Sequence, residues 1–234
     1  LARNLLTMTK PVADAGLRFF RQIGIRRDNM QNPQEVQSAA AALRKALEAA
    51  PCTFSQVMGM RKITGTAEDS SAPVGLVLGT GLSGLADRLT ERVAIPYADL
   101  PGFPVSSVDS HVGAFVWGRF PTSCGEDDAP GRPVLMQQGR CHLYEGRSPA
   151  EVCMGVRVMA AMGVRTLVIT NAAGALNPHF DAGSIMCMSD FINHTGHSPL
   201  LGCNCDQWGP RFPDMSAPFD AELRALATET SARL

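Results

Sequence analysis

The chain has 234 residues, 45% of them hydrophobic, 18% charged and 6% aromatic, with a formal net charge of −1. Its length and apolar content fit a medium globular domain with an extension. Two Trp, two Tyr and the near-neutral charge argue against a general nucleic-acid binder, and no apolar run reaches the length of a membrane span.

The near-zero total hides an asymmetry. Residues 1–62 hold ten Lys/Arg against four Asp/Glu, a net of +6, and residues 63–234 hold eleven against eighteen, a net of −7. Arg3, Arg18, Arg21, Arg26 and Arg27 dot an apolar start, a pattern shared with targeting segments, but Asp14 and Asp28 count against one. Residues 1–33 show no period and are expected as an N-terminal extension without a fixed fold. Residues 34–50, rich in Ala, Leu, Lys and Glu and stopped by Pro51, predict a helix. Residues 51–72 follow as a long loop.

Residues 74–78 form a short apolar run between Pro73 and Gly79, a buried strand. Gly79-Thr80-Gly81-Leu82-Ser83-Gly84 is a glycine-rich turn, with a short helix expected to about Thr90. Residues 113–120 and 133–138 read as two further strands, joined by a polar segment. A helix is expected over 149–162, closed by Gly163, then a buried strand over 165–170 that runs into Asn171-Ala172-Ala173-Gly174. Residues 184–188 are another apolar run, and a last helix is expected from about Ala217 onward, continuing at Leu234. Strands alternating with helices predict an α/β domain with a central sheet flanked by helices.

Seven cysteines, an odd number in a chain of this size, do not suggest a disulfide framework and fit a reducing compartment. Cys203 and Cys205, with His194 and His197 nearby, have the residue types of a zinc site but the spacing of no standard zinc module, so no metal is expected.

Two clusters carry candidate chemistry. The glycine turn matches G-x-G-x-x-G after a strand, and Asp99 lies about twenty residues on, as in a dinucleotide fingerprint. The following helix is short for that role, and Pro96 and Pro101 flank Asp99. The same glycines also suit a phosphate cradle, in which backbone N–H groups approach an anion and Thr80 adds a hydroxyl. The motif alone leaves a plain turn, a phosphate loop and a dinucleotide site open. In residues 138–146, Arg140, His142 and Tyr144 alternate, so an extended backbone would turn all three to one side. Arginine with histidine suits a phosphate dianion, and tyrosine can meet a sugar hydroxyl. His111 precedes one strand, and the small residues after Thr170 offer backbone donors at a strand end.

Taken together, LGTGLSGLADR (78–88), LPGFPVSSVDSHVG (100–113), QGRCHLYEG (138–146), GVRTLVITNAAGALNP (163–178), SDFIN (189–193) and GPRFPDMS (209–216) resemble the trimeric class of purine nucleoside phosphorylases, in the family's order. The resemblance implies a nucleoside phosphorylase-like α/β fold spanning residues 34–234 as a partial domain. It implies phosphate-dependent cleavage of purine (6-oxopurine) nucleosides to the free base and ribose 1-phosphate, in nucleoside salvage. Phosphate would be a co-substrate, with no cofactor. The oxocarbenium-like transition state would be stabilised by the neighbouring anion. By motif, Thr80, Arg140, His142 and the Ala172 N–H would hold phosphate, His111 would close its ribose side, and Tyr144 would contact ribose. His111 and His142 would be the catalytic pair. His197 is the nearest candidate for a contact to a neighbouring subunit of a homotrimer, and the compartment implied is the cytoplasm.

Some positions depart from the family. Thr80 stands where it generally has Ser, Phe191 where it has His, and Cys203 and Cys205 where Pro and Asp are common. The purine-binding segment of the family has no counterpart here, so the chain is expected to stop about two-thirds of the way through the domain and to be inactive alone. A methylthioadenosine phosphorylase is a close alternative, although that group usually has Thr and Cys in the segment matching 171–174. A dinucleotide-dependent oxidoreductase and a non-catalytic binding remnant are the more distant ones.

Overall fold

The computed structural model describes residues 33–50, 72–106, 113–121 and 131–233. The N-terminal extension thus lies outside the described residues except for Pro33, and so does nearly all of the 51–72 loop. The elements in order are α1 (Pro33–Ala49), β1 (Val74–Leu78), a 3₁₀ turn (Ser83–Arg88), β2 (Thr90–Pro96), a 3₁₀ turn (Tyr97–Asp99), β3 (Ala114–Arg119) and β4 (Pro133–Gln138). A 3₁₀ turn (Leu143–Glu145), α2 (Pro149–Val152), α3 (Met154–Ala161), β5 (Thr166–Ile169) and α4 (Ala221–Ala232) follow.

The five strands make one mixed sheet in the order β2-β3-β4-β1-β5. β1 runs parallel to β4 and β5, with Leu78 opposite Gln138 and Val77 opposite Ile169. β3 runs antiparallel to β4 and β2, and pairs Ala114 with Gln138. Three neighbouring parallel strands therefore end on one edge of the sheet.

Alternation along the central strands sorts the core into two layers. Val77, Phe115, Trp117 and Leu135 face the helix layer, whereas Leu76, Leu78, Val116, Val134 and Met136 face the layer closed by Ala86, Leu89 and Phe120. β3 and β4 are buried along their whole length. Burial on both faces explains why they read as continuous apolar runs. α1 buries Val36, Ala39, Ala40, Leu43 and Leu47, a helical stripe, within the same cluster as Val158, Met159 and Met162. Each large aliphatic side chain so buried stabilises the fold by about 1.5–3 kcal/mol. Arg44 ties the two helices by donating from Nη2 to the Ala161 carbonyl at 3.4 Å.

Several expectations need correction. The glycine turn opens a 3₁₀ turn of six residues rather than an α-helix, and the chain then enters β2, an edge strand antiparallel to β3. β2 went unforeseen because Glu91 has a positive φ of 52° and the pairing shifts register between Thr90 and Val93, which blurs its alternation. The helix expected over 149–162 is interrupted at Cys153. β5 is an edge strand with Ile169 exposed rather than a buried one, since no described strand lies on its far side. Residues 184–188, the other apolar run, are irregular, with Ile185 and Met186 exposed. α4 begins at Ala221, not Ala217, because the Asp220 carboxylate caps it by accepting from the Leu223 amide at 2.8 Å, and it ends at Ala232. Among the described residues no helix is long and apolar enough to cross a membrane.

Candidate functional site

The candidate groups gather where β1, β4 and β5 end. After β1 the chain turns at once, the Leu82 amide donating to the Gly79 carbonyl at 3.1 Å. Gly81 takes the third position of this turn with φ +85°, a conformation at ease only for glycine. Gly79 has a different constraint. A Cβ there would lie 2.6 Å from the Thr170 carbonyl oxygen and 2.7 Å from the Asn171 Cα. Its lack of a side chain lets the ends of β1 and β5 touch.

Thr170 locks that contact. Its hydroxyl accepts from the Gly79 amide at 2.8 Å and donates to the Val77 carbonyl at 2.9 Å, while its own amide donates to the same carbonyl at 3.0 Å. Thr80 is exposed just beyond this clamp, and Asn171-Ala172 is exposed on the β5 side of it. From β4, Gln138 Nε2 donates to the Ser83 carbonyl at 2.9 Å, holding the glycine turn from below. Arg140 reaches across from the same strand end to the Leu78 carbonyl, with Nη1 at 3.5 Å. The guanidinium thus comes within two residues of Thr80 along β1.

The expected row of Arg140, His142 and Tyr144 is not a pleated strand. The backbone is extended at His142, then closes into the 3₁₀ turn at Leu143. The turn, rather than strand alternation, brings His142 and Tyr144 together, their rings stacked with centroids 4.6 Å apart and planes inclined by 15°. Tyr144 is 76% exposed, so one face of this aromatic pair meets solvent.

Glu145 sets the orientation of His142. One carboxylate oxygen accepts from the His142 amide at 2.7 Å and pairs with Nδ1 at 2.9 Å. The other accepts from the Ser106 hydroxyl at 2.9 Å. A carboxylate on Nδ1 favours the proton there, which makes Nε2 the acceptor nitrogen of the ring. Sequence reasoning missed Glu145; the His-x-x-Glu spacing, that of a capping box, is the local signal that could have found it. Ser106, Thr170 and Tyr97 carried no comparable local signal, because their partners are distant in sequence. Tyr97 is buried, packs against Phe103 and Phe115, and donates its hydroxyl to the Gly139 carbonyl at 2.7 Å. Burial raises its phenol well above the ordinary value, so it braces the segment as a neutral donor.

Behind the turn, Arg147 donates to the Val105 carbonyl at 2.7 Å and to Glu151 at 3.0 Å. Burial alone would raise the Glu151 carboxyl. Hydrogen bonds from the Ser148 amide and hydroxyl, and the Arg147 cation, outweigh that and hold it below its ordinary value. Cys141 faces inward against the Pro104 carbonyl, and burial pushes its thiol up to about 11.

Thr80, Arg140, His142, Tyr144 and Ala172 therefore share one sheet edge. His111 lies outside the described residues. His197 sits in an exposed turn, where its carbonyl accepts from Asn193 at 2.9 Å and its amide donates to Thr195 at 3.2 Å; no described contact joins it to the strand ends. Among the described residues no group of three or more His, Cys, Asp or Glu side chains is arranged to hold a metal ion, Cys203 and Cys205 included. The dinucleotide reading of the glycine turn is overturned by the fold: β1 leads to a 3₁₀ turn and an antiparallel edge strand, not to the helix and parallel strand such a site requires.

Chemically, the cluster joins a fixed cation, an imidazole of set orientation, a hydroxyl and strand-end backbone beside an exposed aromatic face. It suits a phosphate-bearing sugar. The chain is 44% identical over 162 residues to purine nucleoside phosphorylase 1 of Geobacillus stearothermophilus, covering 69% of this chain and 56% of that one. It is 42% identical over 160 residues to the purine nucleoside phosphorylase of Bos taurus, covering 67% and 52%. The fold matches the crystal structure of isoform 2 of the Schistosoma mansoni purine nucleoside phosphorylase, in complex with cytosine and ribose-1-phosphate. That match has a TM-score of 0.67 at 32% identity over 87% of this chain and 62% of that one. The chain spans about half the length of the curated relatives it matches. Residues 73–234 match the sequence model of the phosphorylase superfamily, and with the strand-end site in place the chain belongs to that superfamily.

Proposed function

We propose that the chain carries the phosphate-binding and ribose-contacting part of a purine nucleoside phosphorylase. The protein would cleave the N-glycosidic bond of 6-oxopurine nucleosides with inorganic phosphate and release the base and ribose 1-phosphate. The observation that carries this reading is the convergence of Thr80, Arg140, His142 and Ala172 on the ends of three adjacent parallel strands. In this reading Arg140 supplies the charge for the phosphate dianion, His142 Nε2 and the Thr80 hydroxyl fix its orientation, and the Ala172 N–H caps it from β5. Glu145 keeps the imidazole in register. The bound anion then lies beside the anomeric carbon, where it stabilises the positive charge that develops as the glycosidic bond lengthens and supplies the nucleophile that completes the bond. Tyr144 offers its exposed face to the ribose. His111 closing the ribose side, His197 reaching a neighbouring subunit of a homotrimer, a cytoplasmic location and the need for no cofactor belong to the same proposal. The ribose-1-phosphate complex of the Schistosoma mansoni relative supports the ligand class.

The test is ligand-dependent thermal unfolding with inorganic phosphate and with ribose 1-phosphate. Both are expected to raise the melting temperature in a concentration-dependent way. Arg140→Met is expected to weaken phosphate binding by about 10–100-fold, the worth of a charge-assisted hydrogen bond, and Thr80→Val by less. Stabilisation by a nicotinamide dinucleotide and none by phosphate would overturn the reading.

A further inference from the structure

The turn that carries His142 and Tyr144 is seated on a stretch of chain 37 to 42 residues earlier. Three consecutive residues of that stretch are tied to it. The Pro104 carbonyl accepts from the Cys141 thiol at 3.5 Å, the Val105 carbonyl accepts from Arg147 Nη2 at 2.7 Å, and the Ser106 hydroxyl donates to Glu145 Oε2 at 2.9 Å. The stretch is anchored in turn by Phe103, which is buried against Tyr97 and Phe115 and whose amide donates to the Leu100 carbonyl at 3.1 Å. Of the three ties, the last ends on the side chain that touches His142.

Glu145 divides its two oxygens. Oε1 faces His142, taking its amide at 2.7 Å and meeting Nδ1 at 2.9 Å, whereas Oε2 faces Ser106. The Glu145 side chain is 2% exposed, so water is poorly placed to replace a donor that is lost. A carboxylate is planar, and a hydroxyl that holds Oε2 sets the angle at which Oε1 meets the imidazole. The direction of Nε2 follows from that angle, and the same bond helps to keep the buried carboxylate charged. We propose that Ser106 is a positioning residue that sets the imidazole of His142 through Glu145, and so tunes the grip on phosphate from a segment that itself makes no contact with the anion. Its part in phosphate binding rests on the function proposed above. The hydroxyl is well placed for the task because the carbonyls of the two preceding residues are already fastened to the same turn.

The test is Ser106→Ala in the full chain, beside Ser106→Thr, with two readouts. Nitrogen NMR of the His142 ring, at a pH where the ring is neutral, reports which nitrogen carries the proton. The wild type is expected to hold it on Nδ1, Ser106→Ala to shift it toward Nε2, and Ser106→Thr, which keeps the hydroxyl, to match the wild type. Phosphate affinity, read from the dependence of the melting temperature on phosphate concentration, is expected to fall about three- to tenfold in Ser106→Ala, the worth of one hydrogen bond, and less than about twofold in Ser106→Thr. A merely structural role would lower the melting temperature without phosphate and leave both readouts where they were. An unchanged ring signal in Ser106→Ala, a Thr variant as impaired as the Ala variant, or a shifted ring with undiminished phosphate affinity overturns the inference. The ring signal needs no ligand, so a wild type that phosphate fails to stabilise counts against the proposed function alone, and the ring signal still decides whether Ser106 sets the imidazole.

Discussion

Replacing Gly79 by alanine tests the joint on which the strand-end site is built. The added methyl would lie 2.6 Å from the Thr170 carbonyl oxygen, 2.7 Å from the Asn171 Cα and 2.9 Å from the Asn171 nitrogen. All three are backbone atoms, so no side-chain rotation relieves the clash, and the end of β1 must move from β5. That movement stretches the bridge in which the Thr170 hydroxyl joins the Gly79 amide to the Val77 carbonyl. Overpacking of this kind costs about 1–3 kcal/mol, and a weakened, partly buried hydrogen bond adds ~1 kcal/mol. The sum of about 2–4 kcal/mol corresponds to a fall in melting temperature of roughly 5–15 °C for a domain of this size. Gly81→Ala is the control two residues on. Its Cβ would meet nothing within 4 Å, and only its positive φ resists the change, for ~1 kcal/mol. Thr170→Val removes the bridging hydroxyl alone and should cost about 1–3 kcal/mol. Combined with Gly79→Ala it should cost less than the sum, because both variants break the same contact. The assay is urea and thermal unfolding of the four variants. Gly79→Ala unfolding no more easily than Gly81→Ala, or strict additivity with Thr170→Val, would refute the argument that the β1–β5 approach holds the site together.

Leu43→Ala, in the fully buried stripe of α1, should destabilise by about 2–5 kcal/mol in urea unfolding, against less than 1 kcal/mol for an exposed position of the same helix. Glu151, held below its ordinary value, contributes stability that is present above its unfolded-state value and is lost as pH falls through its folded one. Glu151→Gln should therefore be less stable than wild type at neutral pH, with the gap closing as pH falls below the ordinary carboxyl range. Equal stabilities at neutral pH would show that its hydrogen bonds contribute nothing. Cys141, with its thiol raised to about 11 from the model-compound value of 9.0, should alkylate at pH 8 roughly a hundredfold more slowly than the exposed Cys187 and Cys203. Comparable rates would contradict its burial.

How much could be read in advance follows from where each signal resides. β1, β3 and β4 were legible because strands buried on both faces appear as unbroken apolar runs between turn residues. α1 was legible for the complementary reason, a helical apolar stripe ended by proline. The phosphate-site candidates stood out because Gly79-Thr80-Gly81 and the Arg140–Tyr144 stretch are local patterns. β2 was missed because edge strands need little apolar content, and a shifted register spoils what alternation remains.

Local chemistry named the participants at the site, since a glycine turn, an arginine and a histidine are recognisable from their neighbours along the chain. Their meeting place is a property of the sheet. Only the parallel order β4-β1-β5 carries residues 80, 140 and 172 to one edge, and no local pattern records strand order. The supports of the site are of the same kind. Thr170 clamps Gly79 across 91 residues, Tyr97 braces Gly139 across 42 and Ser106 reaches Glu145 across 39. Those bonds form only after loop closure has brought distant segments together, a cost repaid by burial of the layers above and below. The composition that seemed to describe one balanced domain thus concealed two separate matters: the residue types for an anion site, which are written locally, and their convergence, which packing alone produces.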